Sequence, residues 1–235
     1  MSKQLALGIT LREHTSLETY IASGNHQAVN DLSASVLGVG EPFIYLWGGS
    51  GVGKSHLLQA ACHLADKEQR TSAYIPLQQM SEFHPDILNG LDNLQLICLD
   101  DIQRVGGNAS WELAIFHLFN RVRDRGASLL VSASQSPSTL PLGLPDLLSR
   151  MNWGLCYQLH PLSDAEKKLA LTSGAARRGL EMSEETAAYI LRHTPRDMES
   201  LRNLLDGLDQ ASLEAQRRLT IPFVRSFISR SNDDT

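Results

Sequence analysis

Five short apolar runs alternate along the chain with stretches whose apolar residues recur every three or four positions. The runs at 43–47, 72–75, 94–99, 128–132 and 155–159 are rich in β-prone residues and bounded by Gly, Pro or acidic residues, so they predict buried strands. Between them, Ala28, Val29, Leu32 and Val36 predict a helix over 26–36, and Leu57, Leu58, Ala61, Leu64 and Ala65 predict one over 56–69. Trp111, Ile115, Leu118, Phe119 and Val122 fall on one face of a helix over 111–124, as core rather than a binding stripe, and 144–151 is short and helical. Residues 80–93 read as mixed helix and loop. Strands alternating with helices predict an α/β fold in which a five-stranded parallel sheet is covered by helices on both faces. Ligands of such sheets bind at the carboxyl edge of the strands.

From Ser163 the strand signals stop. Ser163 and Glu166 form a capping box that opens a helix to Arg178, which Gly179 ends. Ser183 opens a second helix to His193, and Thr194 with Pro195 at the first helical position predicts a third start. Thr220, Ile221 and Pro222 open a last helix through Ile228. The expected organisation is a separate N-terminal segment at 1–12, an α/β domain at 13–162, a small all-helical domain at 163–230 and a disordered tail at 231–235.

Composition narrows the class. With 42% hydrophobic residues among 235, the chain can bury a sizeable core. Its net charge is −5; residues 1–162 carry 10 basic and 14 acidic side chains, and 163–235 carry 11 and 12. Neither part is a basic module, so little direct DNA binding is expected. Cys62, Cys98 and Cys156 are far apart and lack metal-ligand spacing, which predicts core thiols in a reducing cytoplasm. No apolar run approaches the ~20 residues of a membrane span, and no signal peptide is evident, so the expected location is cytoplasmic without a membrane partner.

The chemistry concentrates after the first strand. Gly48, Gly49, Ser50, Gly51, Val52, Gly53, Lys54 and Ser55 satisfy the phosphate-loop pattern G-x-x-x-x-G-K-[ST] at every defined position, and the loop stands between a strand and a helix as that chemistry requires. Its glycines let backbone N–H groups converge, and the helix N-terminus adds partial positive charge. Lys54 is the candidate for the β- and γ-phosphates, Ser55 for Mg²⁺, and His56 continues the nucleotide-binding set. The third strand ends in Asp100-Asp101: Asp100 is the candidate for the Mg²⁺ shell through water, and Asp101 for orienting the attacking water. The expected cofactors are ADP, or another nucleoside diphosphate or ATP, and Mg²⁺. His117 and His160 lack partners for catalysis and read as structural. Gln4, Leu5, Leu7 and Ile9 alternate within an apolar terminus that is either a frayed end or edge strand, or a short linear motif docking in another protein's groove.

The phosphate loop, the Asp-Asp strand end, a polar-tipped fourth strand, an Arg before the fifth strand and a helical C-terminal domain together resemble the AAA+ superfamily. Leu99-Asp100-Asp101-Ile102-Gln103, the stretch 148–154 and Thr15-x-Leu17-x-x-Tyr20-x-x-x-Gly24-Asn25 are similar to the ATPase region of the bacterial replication initiator DnaA. The initiator continues into a basic helix-turn-helix domain, whereas this sequence stops at the helical lid. Gln4 to Ile9 resembles the peptide that binds the replicative sliding clamp. Asn152-Trp153-Gly154, Pro161-Leu162-Ser163-Asp164 and the stretch 219–224 are similar to the Hda family of DnaA-homologous regulatory inactivators.

The resemblance implies several roles. Leu17 and Tyr20 match the base pocket, Arg150 matches an arginine finger that completes a neighbouring subunit's site, and Arg196 matches the lid arginine that reaches the phosphates. Ser134 stands where the initiator carries an acid, which puts water positioning by this chain in doubt. It also implies a negative regulator that docks on the DNA-loaded sliding clamp (β subunit) of DNA polymerase III. There it would drive hydrolysis of ATP on a DnaA-type initiator, its own ATPase being weak. Two other readings remain open: a helicase-loader-like ATPase that grips single-stranded DNA, and a self-associating ATPase, homodimeric or larger, whose Arg150 completes its own copies' sites.

Overall fold

The computed structural model describes residues 15–215 and 219–233, except for the side chains at 80–82, 213–215 and 231–233. The chain divides into two compact units, 1–160 and 161–235. The segment carrying Gln4, Leu5, Leu7 and Ile9 lies outside the described residues.

The first unit is a parallel sheet of five strands: β1 (Phe43–Trp47), β2 (Ser72–Pro76), β3 (Leu96–Asp100), β4 (Ser128–Ala133) and β5 (Leu155–Gln158). Their spatial order is β2-β3-β4-β1-β5, and every pairing is parallel. The central strands β1, β3 and β4 are the most continuously apolar stretches because both of their faces are covered. On one face, Ile44, Leu46, Cys98 and Leu130 pack against α1 (His26–Leu37) and α2 (Lys54–Lys67). On the other, Tyr45, Ile97, Leu99 and Val131 meet Trp111, Ile115, Leu118, Phe119 and Val122 of α3 (Ala109–Arg125), together with Leu147 and Met151 of α4 (Pro145–Met151). The period-two alternation of strand side chains sends neighbours into opposite cores. The stretch between β2 and β3 is built of three 3₁₀ turns. Cys62 and Cys98 are buried with their sulfurs 3.7 Å apart, but Cys156 is exposed. The expectation of three core thiols fails there because β5 is the sheet's edge, where alternate side chains face solvent.

The second unit holds α5 (Asp164–Arg177), α6 (Glu184–His193), α7 (Met198–Ala215) and α8 (Ile221–Asp233) around Leu171, Ala187, Ile190, Leu201, Leu208 and Val224. The capping box forms: Ser163 Oγ accepts from the Glu166 N–H at 3.3 Å, and the Glu166 carboxylate accepts from the Ser163 N–H at 2.7 Å. The third helix start differs from expectation. Thr194 closes α6 instead, its hydroxyl donating to Ile190 O at 2.8 Å. Asp197 caps α7 by accepting from the Ser200 N–H at 2.8 Å. Arg196 therefore precedes the helix rather than standing in its first turn. Two capping residues three positions apart compete for one start, and the acidic one has the stronger acceptor. The last helix runs beyond Ile228 to Asp233.

Candidate functional site

The loop after β1 is tied to the sheet where Gly48 N–H donates to Ala133 O at 3.3 Å, beside the end of β4. Gly51 (φ +72°) and Gly53 (φ +97°) turn through the left-handed region that L side chains avoid. A Cβ at Gly53 would lie 2.6 Å from the Tyr20 ring, so glycine there permits both the turn and the approach of the 15–20 segment. Gly53→Ala should introduce strain of about 1–2 kcal/mol and push Tyr20 away. The expected result is a lower unfolding midpoint and weaker nucleotide binding, measured by thermal denaturation and titration with fluorescent ADP. An unchanged midpoint would refute this account of Gly53.

Lys54 begins α2 and is 9% exposed. Its Nζ donates to Gly48 O and Gly49 O, each at 2.9 Å. Burial lowers the pKa of its ammonium, while the Asp101 and Asp100 carboxylates pull the other way. The cation is thus held at the mouth of the loop by its own backbone carbonyls, in reach of any anion the loop admits.

Asp100 ends β3, 4% exposed. Its Oδ2 accepts from the Tyr74 hydroxyl at 2.6 Å, and its Oδ1 accepts a short hydrogen bond from Ser132 Oγ. Asp101 is left-handed (φ 62°, ψ 54°), a costly conformation outside glycine. It is held there by its N–H donating to Ser132 Oγ at 2.9 Å. The Asp101 carboxylate accepts from Gln103 Nε2 at 3.0 Å, and Gln103 Oε1 accepts from the Ser134 N–H at 3.1 Å. Gln103 therefore links the acid to the end of β4 where the exposed Ser134 has no carboxylate to offer.

The segment before α1 closes the other side. The Tyr20 ring tilts against His56 at 5.5 Å, and its hydroxyl reaches Val52 O at 3.4 Å. Burial pushes the Tyr20 phenol up to about 12, with Asn25 pulling it down. Asn25 donates to Tyr20 Oη at 3.2 Å and brackets His160, donating to its carbonyl at 3.0 Å and accepting from its N–H at 2.8 Å. His56 Nε2 lies 3.0 Å from Ser16 O and 3.3 Å from Thr19 Oγ1, so it clips this segment to α2. Leu17 packs on the same core, half-buried.

The structure therefore assembles Gly48 through His56, Asp100, Asp101, Leu17 and Tyr20 at the carboxyl edge of the sheet, and leaves Arg150 apart from them. Arg150 is in the last turn of α4. Its guanidinium lies 4.0 Å from the Trp153 ring centroid, 5.8 Å from Phe119 and 5.9 Å from Phe116. Its Nε is buried without a hydrogen-bond partner. Phe119 in turn meets Phe43 at 5.0 Å, so this cluster stands at the start of β1, with the phosphate loop at the strand's other end. Arg196, in the second unit, donates to Leu191 O at 3.1 Å and pairs with Asp164 at 3.3 Å.

Sequence reading missed Tyr74, Ser132 and Gln103, all polar residues in or beside strand ends. A hydroxyl inside an otherwise apolar strand, as at Ser132, is the only local sign; its partner is 32 positions away. Among the described residues no group of three or more His, Cys, Asp or Glu could hold a metal ion. A divalent cation here would have to share Ser55 and Asp100 with phosphate oxygens and water, which fits a Mg²⁺–nucleotide site rather than an all-protein cage. The left-handed glycines, the buried Lys54 and the acidic strand end fit a nucleotide's phosphates. Among the described residues no helix is long and apolar enough to cross a membrane.

A parallel sheet with a phosphate loop at its carboxyl edge, followed by a helical unit, defines a P-loop protein of the AAA+ class. The family model for the bacterial DnaA ATPase domain matches residues 11–158, and the chain belongs to that family. A model for the lid domain of Hda matches residues 164–228. An uncharacterized protein of Haemophilus influenzae is 44% identical over 230 residues, 97% of this chain and 100% of its own length. Domain III of the Thermotoga maritima replication initiation protein DnaA shares the fold at TM-score 0.78 and 19% identity, over 94% of this chain and 98% of its own. AMPPCP-bound DnaA from Aquifex aeolicus does so at 0.73 and 20%, over 96% of this chain and 72% of its own.

Proposed function

We propose that this chain is an Hda-type negative regulator of chromosomal replication initiation, which binds an adenine nucleotide itself and supplies Arg150 to the ATP site of a DnaA-type initiator. The observation that carries the reading is the separation of Arg150 from the chain's own phosphate loop. The two stand at opposite ends of β1, a strand of 5 residues, which puts them apart by roughly 15 Å or more. An arginine so placed cannot reach its own nucleotide's γ-phosphate but can serve a neighbour's. The DnaA family membership and the match to the Hda lid support the choice of neighbour.

In this reading Lys54 and the loop N–H groups bind the phosphates of ADP, Leu17 and Tyr20 bound the base, and Ser55 and Asp100 face the Mg²⁺ position. Mg²⁺ would neutralise phosphate charge when bound. Asp101 orients water if the chain's own site turns over, and the match to the family's lid arginine assigns Arg196 to the phosphates. The domains act as 13–162 for nucleotide, 163–230 as lid and 1–12 as the clamp peptide, with Gln4, Leu5, Leu7 and Ile9 seated on the DNA-loaded sliding clamp. On the initiator, the Arg150 guanidinium stabilises charge that builds on the transferring phosphoryl group.

The test is hydrolysis of ATP bound to purified initiator, with DNA-loaded clamp, with and without this protein. Acceleration that requires the clamp is the expected outcome. No acceleration would sink the reading. Turnover by this protein alone that rises with its own concentration would instead favour the self-associating ATPase.

A further inference from the structure

Tyr74 stands on β2 opposite Cys98 of β3, two residues before Asp100. Its phenol therefore points along the strand edge at the acid, donating to Asp100 Oδ2 at 2.6 Å. The same oxygen accepts from Gln59 Nε2 at 3.3 Å. Ser132 holds the other Asp100 oxygen, so each carboxylate oxygen already accepts an O–H bond. Ser55 and Asp100 are the two protein groups that face the divalent cation in the nucleotide reading, and the tyrosyl oxygen is bonded to the second of them.

Mg²⁺ requires near-ideal octahedral geometry and keeps most of its waters, which must donate to a carboxylate in the outer sphere. A hydroxyl already bonded to that carboxylate competes for the position. We propose that the Tyr74 hydroxyl plugs the divalent-cation position, so that the chain binds a nucleoside diphosphate with little help from Mg²⁺. This rests on the nucleotide reading and gives it a regulator: Mg²⁺ enters only as the phenol leaves Asp100. A protein built this way retains diphosphate and resists turning over triphosphate, although its loop, Lys54 and both acids are present.

Tyr74→Phe removes the hydroxyl and keeps the ring, which packs half-buried against the core under β2. Full-length wild-type and variant protein would be titrated with ADP by calorimetry, in EDTA and in Mg²⁺. Mn²⁺ binding to the ADP-loaded proteins would be followed by electron paramagnetic resonance. Wild type should bind ADP with affinities that agree within about twofold in the two buffers. Releasing a charge-assisted hydrogen bond from Asp100 should make the variant bind Mn²⁺ about tenfold more tightly and render its ADP affinity Mg²⁺-dependent. Equal or weaker Mn²⁺ binding by the variant overturns the plug and makes Tyr74 a support for the cation. Absence of ADP binding by wild type in both buffers overturns the nucleotide reading, and the plug with it.

Discussion

Arg150→Ala should lower stimulated hydrolysis of initiator-bound ATP by about 10³-fold or more, the scale on which an arginine finger acts. The loss should fall on the rate at saturating protein, because the guanidinium acts on charge that exists only as the phosphoryl group transfers. The variant's own ADP affinity should not change, since Arg150 sits at the far end of β1 from the loop. Stability should fall only modestly. The side chain leaves the Trp153 face, 4.0 Å from its centroid, and a cation–π contact contributes about 1–2 kcal/mol. Arg150→Lys should recover little activity, because an ammonium lacks the planar fork that meets a phosphoryl group and stacks on an indole. Single-turnover loss of initiator-bound ATP measures all three proteins. Wild-type rates from Arg150→Ala would remove Arg150 from the mechanism.

Glu112→Ala should destabilise the first unit by about 2–4 kcal/mol. Glu112 is 2% exposed and its carboxylate accepts three backbone N–H bonds: Gly107 at 2.8 Å, Gly143 at 3.0 Å and Leu144 at 2.7 Å. Truncation removes three bonds to a charged acceptor, and water can take up part of the loss because Gly107 and Gly143 are exposed and Leu144 half-buried, so each costs about 1 kcal/mol rather than the full penalty of a buried donor. One acid thereby pins the start of α3 to the residues that lead into α4, the helix that carries Arg150. Glu112→Gln keeps one acceptor oxygen and turns an N–H toward a donor, so it should cost less than alanine yet remain clearly destabilising. Urea unfolding measures both. A loss under about 1 kcal/mol for alanine would mean that water replaces the carboxylate and that the pin is not structural. The destabilised variants should also stimulate hydrolysis less well at temperatures where they remain folded, because the helix beneath Arg150 loses its anchor.

Much of this was legible in the chain because its causes are local. The apolar run at 43–47 is β1 residue for residue, and the strands near 72, 96, 128 and 155 stand where apolar runs meet turn residues. A buried parallel strand must be apolar on both faces, so it leaves its trace without reference to any partner. The phosphate loop was legible for a similar reason: its turn is made by four glycines, 48, 49, 51 and 53, within eight positions, 48–55. Where two local signals competed, as at Thr194 and Asp197, the reading failed, because Asp197 is the stronger acceptor and the Thr194 hydroxyl is taken up by Ile190 O at the end of α6.

The sequence by itself determined the strand–loop–helix that cradles phosphate, the acidic end of β3 and the passage from an α/β to an all-helical region. Each depends on residues a few positions apart, whose backbone conformations their own side chains dictate. Only the tertiary structure decided that β4 lies between β3 and β1. That order brings Ser132 to Asp100 across 32 positions, as the β2–β3 pairing brings Tyr74 to it across 26. The fold likewise set Asn25 against His160, 135 positions away, and sent Arg150 to the edge opposite the loop. A hydroxyl or a guanidinium carries no mark of its partner. Which groups meet is fixed by strand order and helix packing, and these follow from burying apolar surface over the whole chain rather than from any stretch of it.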